Sequence, residues 1–368
     1  MCSLCEPLVL CVTTTKTNVV GTYGVSIVWC VYKCWCVSQM STKIVTQVSR
    51  LNPWQRAQHP APKICMATFP DETYTITYGD RGENEAGMQM VGTAMEMGVS
   101  AEYLGDLCET LKEEGADVSL CPLNELMSGH EAEDECTQAN VLIIKGGVNY
   151  FLKEMKGDME PAAEVLAELR RMPKDDKTHM YGRVVNKKAR HNCCMADFEQ
   201  SPNIANKKGT VVNFKDYPFL DKLRRIMGER LGQTQLLVGE INHYYDSKQC
   251  GIGWHGDAER MIVVGVRVGP GANDFPIKFN WFHHHDPVGK EGRIFLDDGD
   301  IYVMSEKAVG FDTKKSSLYT LRHAAGKDTC SYAKTKRKRD DPMYTAPPMI
   351  WKPSKAPRVV LAPVKEEE

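Results

Sequence analysis

The 368-residue chain has no excess of charge of either sign: 46 Lys and Arg stand against 48 Asp and Glu, for a formal net charge of −2. That removes any global electrostatic case for a nucleic-acid binder, while a local basic surface remains compatible with it. The chain also lacks a regular cysteine framework. Of its 14 cysteines, Cys2, Cys5, Cys11, Cys30, Cys34, Cys36 and Cys65 crowd the beginning, and the rest are scattered singly apart from Cys193-Cys194. Such a distribution argues against a disulfide scaffold and for a reducing compartment, cytoplasmic or nuclear. Cys2-x-x-Cys5 has no partner pair and Cys34-x-Cys36 is too tight for a zinc knuckle, so no structural zinc is expected. No secretory leader is recognisable. Val19 to Cys36 is mostly apolar, but no basic stretch precedes it and no small-residue cleavage site follows. The run reaches the length of a short membrane span, with Lys33 interrupting it. The simpler reading is an N-terminal extension, because a chain begun at Met40 or Met66 keeps every motif below. A membrane partner is not expected.

What is present begins near residue 71. Tyr74-Thr-Ile-Thr-Tyr78 alternates like a strand. Ser100 is placed to cap a helix with Tyr103, Leu104, Leu107 and Leu111 on one face. Val141-Leu-Ile-Ile144 predicts a buried strand that turns at Gly146-Gly147, and Glu160 to Met172 predicts a helix stopped by Pro173. The segment 170–230 is basic, including Lys187, Lys188, Arg190, Lys207 and Lys208. Within it, Pro218 opens a helix whose apolar face is Leu220, Leu223, Met227 and Leu231, with its charges outward. From Gln235 to Ser305 short strands alternate with Gly269-Pro-Gly271 and Asp297-Asp-Gly299 turns, the pattern of a β-sandwich or barrel. The expected organisation is a poorly structured extension over 1–70, an α/β extension over 71–180, a mainly β domain over 181–332, and a basic, proline-rich, disordered tail over 333–368.

The sharpest chemical signal is Trp254-His255-Gly256-Asp257-Ala258-Glu259. Residues two apart on a strand share a face, so His255 and Asp257 can reach one cation. One further histidine completes a two-histidine, one-carboxylate set, which favours iron(II) with open positions; zinc hydrolases use similar ligands. Two sources of that histidine exist: His323 and the run His283-His-His-Asp286, of which only alternate members share a strand face.

Around this motif the sequence resembles the AlkB-like dioxygenases. Asn242-x-Tyr244, Gly251-Ile-Gly-Trp-His-Gly-Asp-Ala-Glu259, the strand Ile262-Val-Val-Gly-Val-Arg-Val-Gly269 and Gly299-Asp-Ile-Tyr-Val-Met-Ser305 follow in that family's order. Lys188-Ala-Arg-His-Asn-Cys-Cys-Met-Ala-Asp197 is similar to the family's substrate-side loop. The resemblance covers about 181–326. It implies an α+β protein with a double-stranded β-helix (jelly-roll) core and the N-terminal extension packed on or beside it. It implies an Fe(II), 2-oxoglutarate-dependent dioxygenase, with oxidative demethylation of alkylated nucleic-acid bases as the expected reaction. Molecular oxygen is consumed, succinate and carbon dioxide form, and a hydroxylated N-methyl group collapses to formaldehyde and a free amine. His255, Asp257 and His323 would bind and activate the metal, with Lys307 to Tyr319 an inserted loop before the last of them. Asn242 and Tyr244 would contact 2-oxoglutarate; Glu259, Lys188 and Arg190 would lie at the substrate. The family places an arginine for the far carboxylate about a dozen residues past the last histidine. Here Lys334 and Arg337 are the candidates, and neither matches cleanly. The alternatives are the same chemistry on a protein side chain or small molecule, or a catalytically inactive nucleic-acid-binding module.

Overall fold

The computed structural model describes residues 71–328 and 346–351, together with the short pairs Thr13–Thr14 (β1) and Val25–Ser26 (β2), which hydrogen-bond antiparallel. The chain divides into two compact units, Met1–Ala67 and Thr68–Glu368; everything that follows concerns the second. The extension expected over 1–70 otherwise lies outside the described residues.

The second unit is mixed α+β. Its large sheet has eight strands in the order β11 (Val211–Asn213), β10 (His191–Ala196), β12 (Val238–Tyr244), β3 (Thr73–Gly79), β14 (Val263–Val268), β17 (Ile301–Met304), β7 (Asn140–Ile144) and β6 (Val118–Pro122). The smaller sheet has five: β13 (Ile252–His255), β18 (Thr320–Ala325), β15 (Ile277–His283), β16 (Asp286–Ile294) and β19 (Met349–Trp351). Pairing is antiparallel except β10 with β11 and β16 with β19. Two hairpins, β4 (Arg81–Glu83) with β5 (Met90–Gly92) and β8 (Lys177–Met180) with β9 (Arg183–Asn186), stand apart from both sheets.

Strand periodicity builds three layers. Along β14, Val264, Val266 and Val268 join one apolar cluster with Leu104, Leu107, Leu169, Leu220 and Leu223 of the helices. On the opposite face Val263 joins a second cluster with Tyr302, Phe279, Trp281 and Leu321, which fills the space between the two sheets. Both faces of the large sheet are therefore covered, by helices on one side and by the small sheet on the other.

The helices form as their sequences dictate. Ser100 Oγ accepts the Tyr103 amide at 3.0 Å and caps Ala101–Glu113; Pro161 and Pro218 stand at the starts of Pro161–Arg171 and Pro218–Arg230. One expectation fails there. Arg224 does not point outward: it is buried, stacked 3.7 Å from the Phe214 ring centroid, and paired with Asp197 and Asp221. Among the described residues, no helix is long and apolar enough to cross a membrane.

The N-terminal segment is not an extension packed on or beside the β domain. β3 lies between β12 and β14, with Ile76 opposite both Ile241 and Val266. β6 and β7 continue the same sheet, so no separate unit starts at 181. The physical reason lies in the strand itself. Tyr74, Ile76 and Tyr78 enter the helix-side core, while Thr73, Thr75 and Thr77 are equally buried on the other face. A strand hidden on both faces suits the middle of a sheet. Of the tail expected to be disordered from 333, the described part supplies β19 on the edge of the small sheet. A chain begun at Thr68 is expected to fold with a single cooperative transition. A chain begun at Arg81 removes β3, leaves β12 and β14 without their shared partner, and should be recovered only as aggregate; soluble yield and circular-dichroism melting of the two truncations check this.

Candidate metal centre

β13 and β18 bring the key side chains together. In their antiparallel register His255 stands opposite His323, and Asp257 follows in the turn after β13. Asp257 Oδ1 lies 3.3 Å from His255 Nε2 and 3.6 Å from His323 Nε2, with the two ring centroids 4.3 Å apart. One ligand atom from each of the three lies within 4.8 Å of the others, the one such trio among the described residues.

The surroundings tune the donors. His255 Nδ1 is 2.7 Å from the Gly253 carbonyl, which fits Nδ1 carrying the proton and turns Nε2 to Asp257, where either a proton donates to the carboxylate or a cation would take the lone pair. Burial and the neighbouring His255 push the His323 imidazole down to about 3, so it stays neutral and can donate a lone pair. Burial alone would neutralise Asp257, but Arg260, His323 and His255 outweigh it and hold the carboxyl well below the usual range. For His255, burial opposes the charged ring, and the hydrogen bond to Asp257 overrides it and raises the pKa. Two neutral-capable imidazoles and a carboxylate that resists protonation form a set that fits a divalent cation of borderline softness.

Two structural features position Asp257. Arg260 Nε donates to Asp257 Oδ2 at 2.8 Å and its Nη2 to Glu240 Oε2 at 3.0 Å. The segment 307–319, expected as an inserted loop, instead begins with the short helix Glu306–Val309, whose Val309 carbonyl accepts the Asp257 amide at 3.0 Å. Gly256 is required at this contact, since a Cβ there would sit 2.4 Å from the Gly310 carbonyl oxygen. The competing histidines are elsewhere. His284 and His285, with φ of 47° and 70°, form the two-residue turn between β15 and β16. His283 stacks on Tyr319 and His285 meets Arg322, so none of the run joins the trio.

Two spaces open from the trio. Inward, a narrow cavity between the sheets is lined by Asn242, Tyr244, Thr75, Arg267, Tyr302 and the trio itself. Gly265 makes room for the Tyr302 ring that lines this cavity, because the ring lies where its side chain would be. Outward, a groove of about 580 Å3 is walled by Glu83, Glu85, the β8–β9 hairpin, residues 187–190 and residues 251–260. Asn242 and Tyr244 thus share one cavity with the trio, as their assigned role requires. Asn242 Oδ1 accepts from Arg190 Nε at 2.5 Å, and the Tyr244 ring packs 4.4 Å from that of Phe275. Glu259 lies on the groove wall, where burial and the Asp257 charge push its carboxyl up to about 7. Lys334 and Arg337 lie outside the described residues.

The basic residues expected at the rim divide. Lys188 is exposed on the groove. Lys187 also lines it but is buried, its Nζ donating to Asn84 at 2.8 Å and to Asn192. Arg190 is buried between Asn242 and Glu85. Lys207 and Lys208 are exposed on a turn and do not line the groove. Sequence reasoning missed Arg260, which it left unassigned, and Arg267, hidden in an ordinary strand pattern; the first sits three residues past Asp257, a spacing that signals a local ion pair.

The described fold and site define a mixed α+β protein with a His–Asp–His cluster between two sheets, its Asp257 and His323 buried and its His255 partly exposed. No protein-family model matches the chain. It is 41% identical over 257 residues to an uncharacterized protein of Acanthamoeba polyphaga mimivirus, an alignment covering 70% of this chain and 96% of the viral one. The chain belongs to the family of that viral protein.

Replacing His255, Asp257 or His323 singly by Ala should weaken Mn(II) binding at least 100-fold, beyond the roughly 10–100-fold typical of losing an outer partner. Replacing His283 by Ala should leave it unchanged. Calorimetric titration with Mn(II) decides between them, and an H283A variant that loses the metal while H323A keeps it would reverse the assignment.

Proposed function

We propose that the protein is a non-haem Fe(II), 2-oxoglutarate-dependent dioxygenase that oxidatively demethylates alkylated nucleic-acid bases. The observation that carries this reading is the convergence of His255, Asp257 and His323 at the junction of an inner cavity and an open groove. A bound iron with its oxo-acid cosubstrate would supply oxygen activation and C–H hydroxylation. The chain's own work is to hold three ligands on one side of a cation, keep the cosubstrate pocket dry, and admit substrate only from the groove. Asn242 and Tyr244 are placed to orient the cosubstrate, and Glu259 to meet a base at the groove side.

Strand order supports a double-stranded β-helix. In a jelly roll of eight strands, one sheet carries the first, eighth, third and sixth strands and the other the second, seventh, fourth and fifth. Numbering from β12, the large sheet reads first, then β3, then third and sixth; the small sheet reads second, seventh, fourth and fifth. β3 stands in the place of the eighth strand, although it precedes the other seven in the chain.

One observation favours a second substrate class. Lys187 and Arg190 are committed to internal partners, Arg190 to Glu85 among them, whereas Glu83 and Glu259 also line the groove. A groove of that character also suits a methylated basic side chain of a protein. The test is succinate formation from labelled 2-oxoglutarate with Fe(II) and ascorbate, in parallel arms with methylated oligonucleotide and methyl-lysine peptide. The expected result is stimulation by the oligonucleotide, with binding that weakens as salt rises and a salt slope shallower by about one in Lys188→Glu. Stimulation by the peptide alone transfers the chemistry to protein substrates. No succinate in any arm defeats the catalytic reading in favour of an inactive binding module.

A further inference from the structure

Arg267 is wholly buried on β14, facing the space between the sheets, and its Nε and Nη1 have no hydrogen-bond partner among the described residues. Its guanidinium lies over the Phe275 ring, 4.9 Å from the centroid, and the groups that act on it electrostatically are the Tyr302 and Tyr244 phenols, with no carboxylate among them. An isolated charge in such a place costs several kcal/mol unless a counter-charge reaches it. The other buried arginines near the trio have theirs: Arg260 holds Asp257 and Glu240, and Arg190 holds Glu85.

Register places a second unpartnered group beside it. Thr75 of β3 stands opposite Arg267 on one side and Asn242 on the other, and its buried Oγ1 also has no partner among the described residues. Asn242, Thr75 and Arg267 thus form one row across three adjacent strands, and all three line the cavity that ends at the trio. The next row toward Arg260 holds Glu240, Thr77 and Gly265. One such two-residue step is roughly 7 Å along a strand, about the span of a five-carbon diacid.

We infer that Arg267, with the Thr75 hydroxyl, is the seat for the far carboxylate of the 2-oxo diacid cosubstrate, in place of any residue after His323. This rests on the proposed function and deepens it. The arrangement follows from topology: the strand that would come after His323 is replaced in the sheet by β3, which offers threonines on its cavity face, so the cation comes from the neighbouring strand. The guanidinium supplies paired donors to the carboxylate and the hydroxyl adds a third, without any step of bond making.

The test uses the full chain loaded with Mn(II) and two ligands of equal carbon number: 2-oxoglutarate, and 2-oxopentanoate, which ends in methyl instead of carboxylate. Wild type should prefer 2-oxoglutarate by about tenfold or more, the effect of a charge-assisted hydrogen-bond pair. Arg267→Met should bind both ligands equally weakly, keep its Mn(II) affinity, and melt no lower than wild type without ligand, since it loses an uncompensated buried charge. Thr75→Val should reduce the preference in part. Preference retained in R267M, or absent from a wild type that binds Mn(II), overturns the inference while leaving the metal site standing. A wild type that binds no Mn(II) defeats the proposed function instead. In that case thermal stabilisation of the metal-free chain by glutarate, present in wild type and absent in R267M, still supports the seat, and its absence from both overturns it.

Discussion

The buried ion network centred on Arg260 is the interaction on which the site depends. Its guanidinium joins Asp257 in the turn after β13 to Glu240 on β12, and lies 3.4 Å from both Thr77 Oγ1 of β3 and the Arg81 carbonyl beyond it. Three chain segments that are distant in sequence, around 77–81, 240 and 257–260, meet through one planar cation. Carboxylates this deep would be neutral on their own, because burial penalises the charged form. With Arg260 between them, Asp257 stays charged and is held in one rotamer facing the two histidines. Removing such a partner leaves an unpaired buried charge and is strongly destabilising, by about 3–5 kcal/mol.

Much of this was legible in the sequence, and the reasons are local. Strand periodicity and glycine-rich turn signals placed β12, β14, β15 and β17 but found only the end of β16, and His255 and Asp257 do converge, although Asp257 lies beyond the end of β13 and not on its face. His323 was separable from the histidine run through the order of motifs that the resemblance implies, since spacing alone left both open. What was not legible depends on partners rather than periodicity. Tyr74 to Tyr78 announces a strand, but nothing local tells that its threonine face would be buried or that its neighbours are β12 and β14. Lys187, Arg190 and Arg224 read as solvent-facing cations because charge is the only property a sequence prints; their burial follows from acceptors contributed by remote segments. Arg267 was invisible for the opposite reason, as a single polar letter in a valine-rich strand.

The open face of the site differs in character from the closed one. Inward of the trio, side chains of both sheets enclose a narrow cavity, and Gly265 lets Tyr302 fold across β14. Outward, one side of the wall is built from hairpins that belong to neither sheet, notably β8–β9 with its exposed Tyr181. Walls of this kind vary at little cost to the scaffold, so selectivity can change there while the metal ligands, fixed by sheet register, do not move.

The position of β3 bears on how the protein is made. Thr77 Oγ1 hydrogen-bonds to the carbonyl of Glu240, 163 residues further along the chain. During synthesis β3 emerges early and must wait, with both hydrogen-bonding edges unfilled, until β12 and then β14 leave the ribosome. Long-range pairing of this kind is slow, because loop closure precedes the contacts that reward it. The waiting strand is apolar on one side and carries unpaired edges, which are the features that chaperones recognise and aggregates exploit. Maturation of the site is therefore a late event, reached only after nearly the whole second unit has been synthesised, and its yield in a cell should depend on how well the nascent N-terminal strand is shielded in the interval.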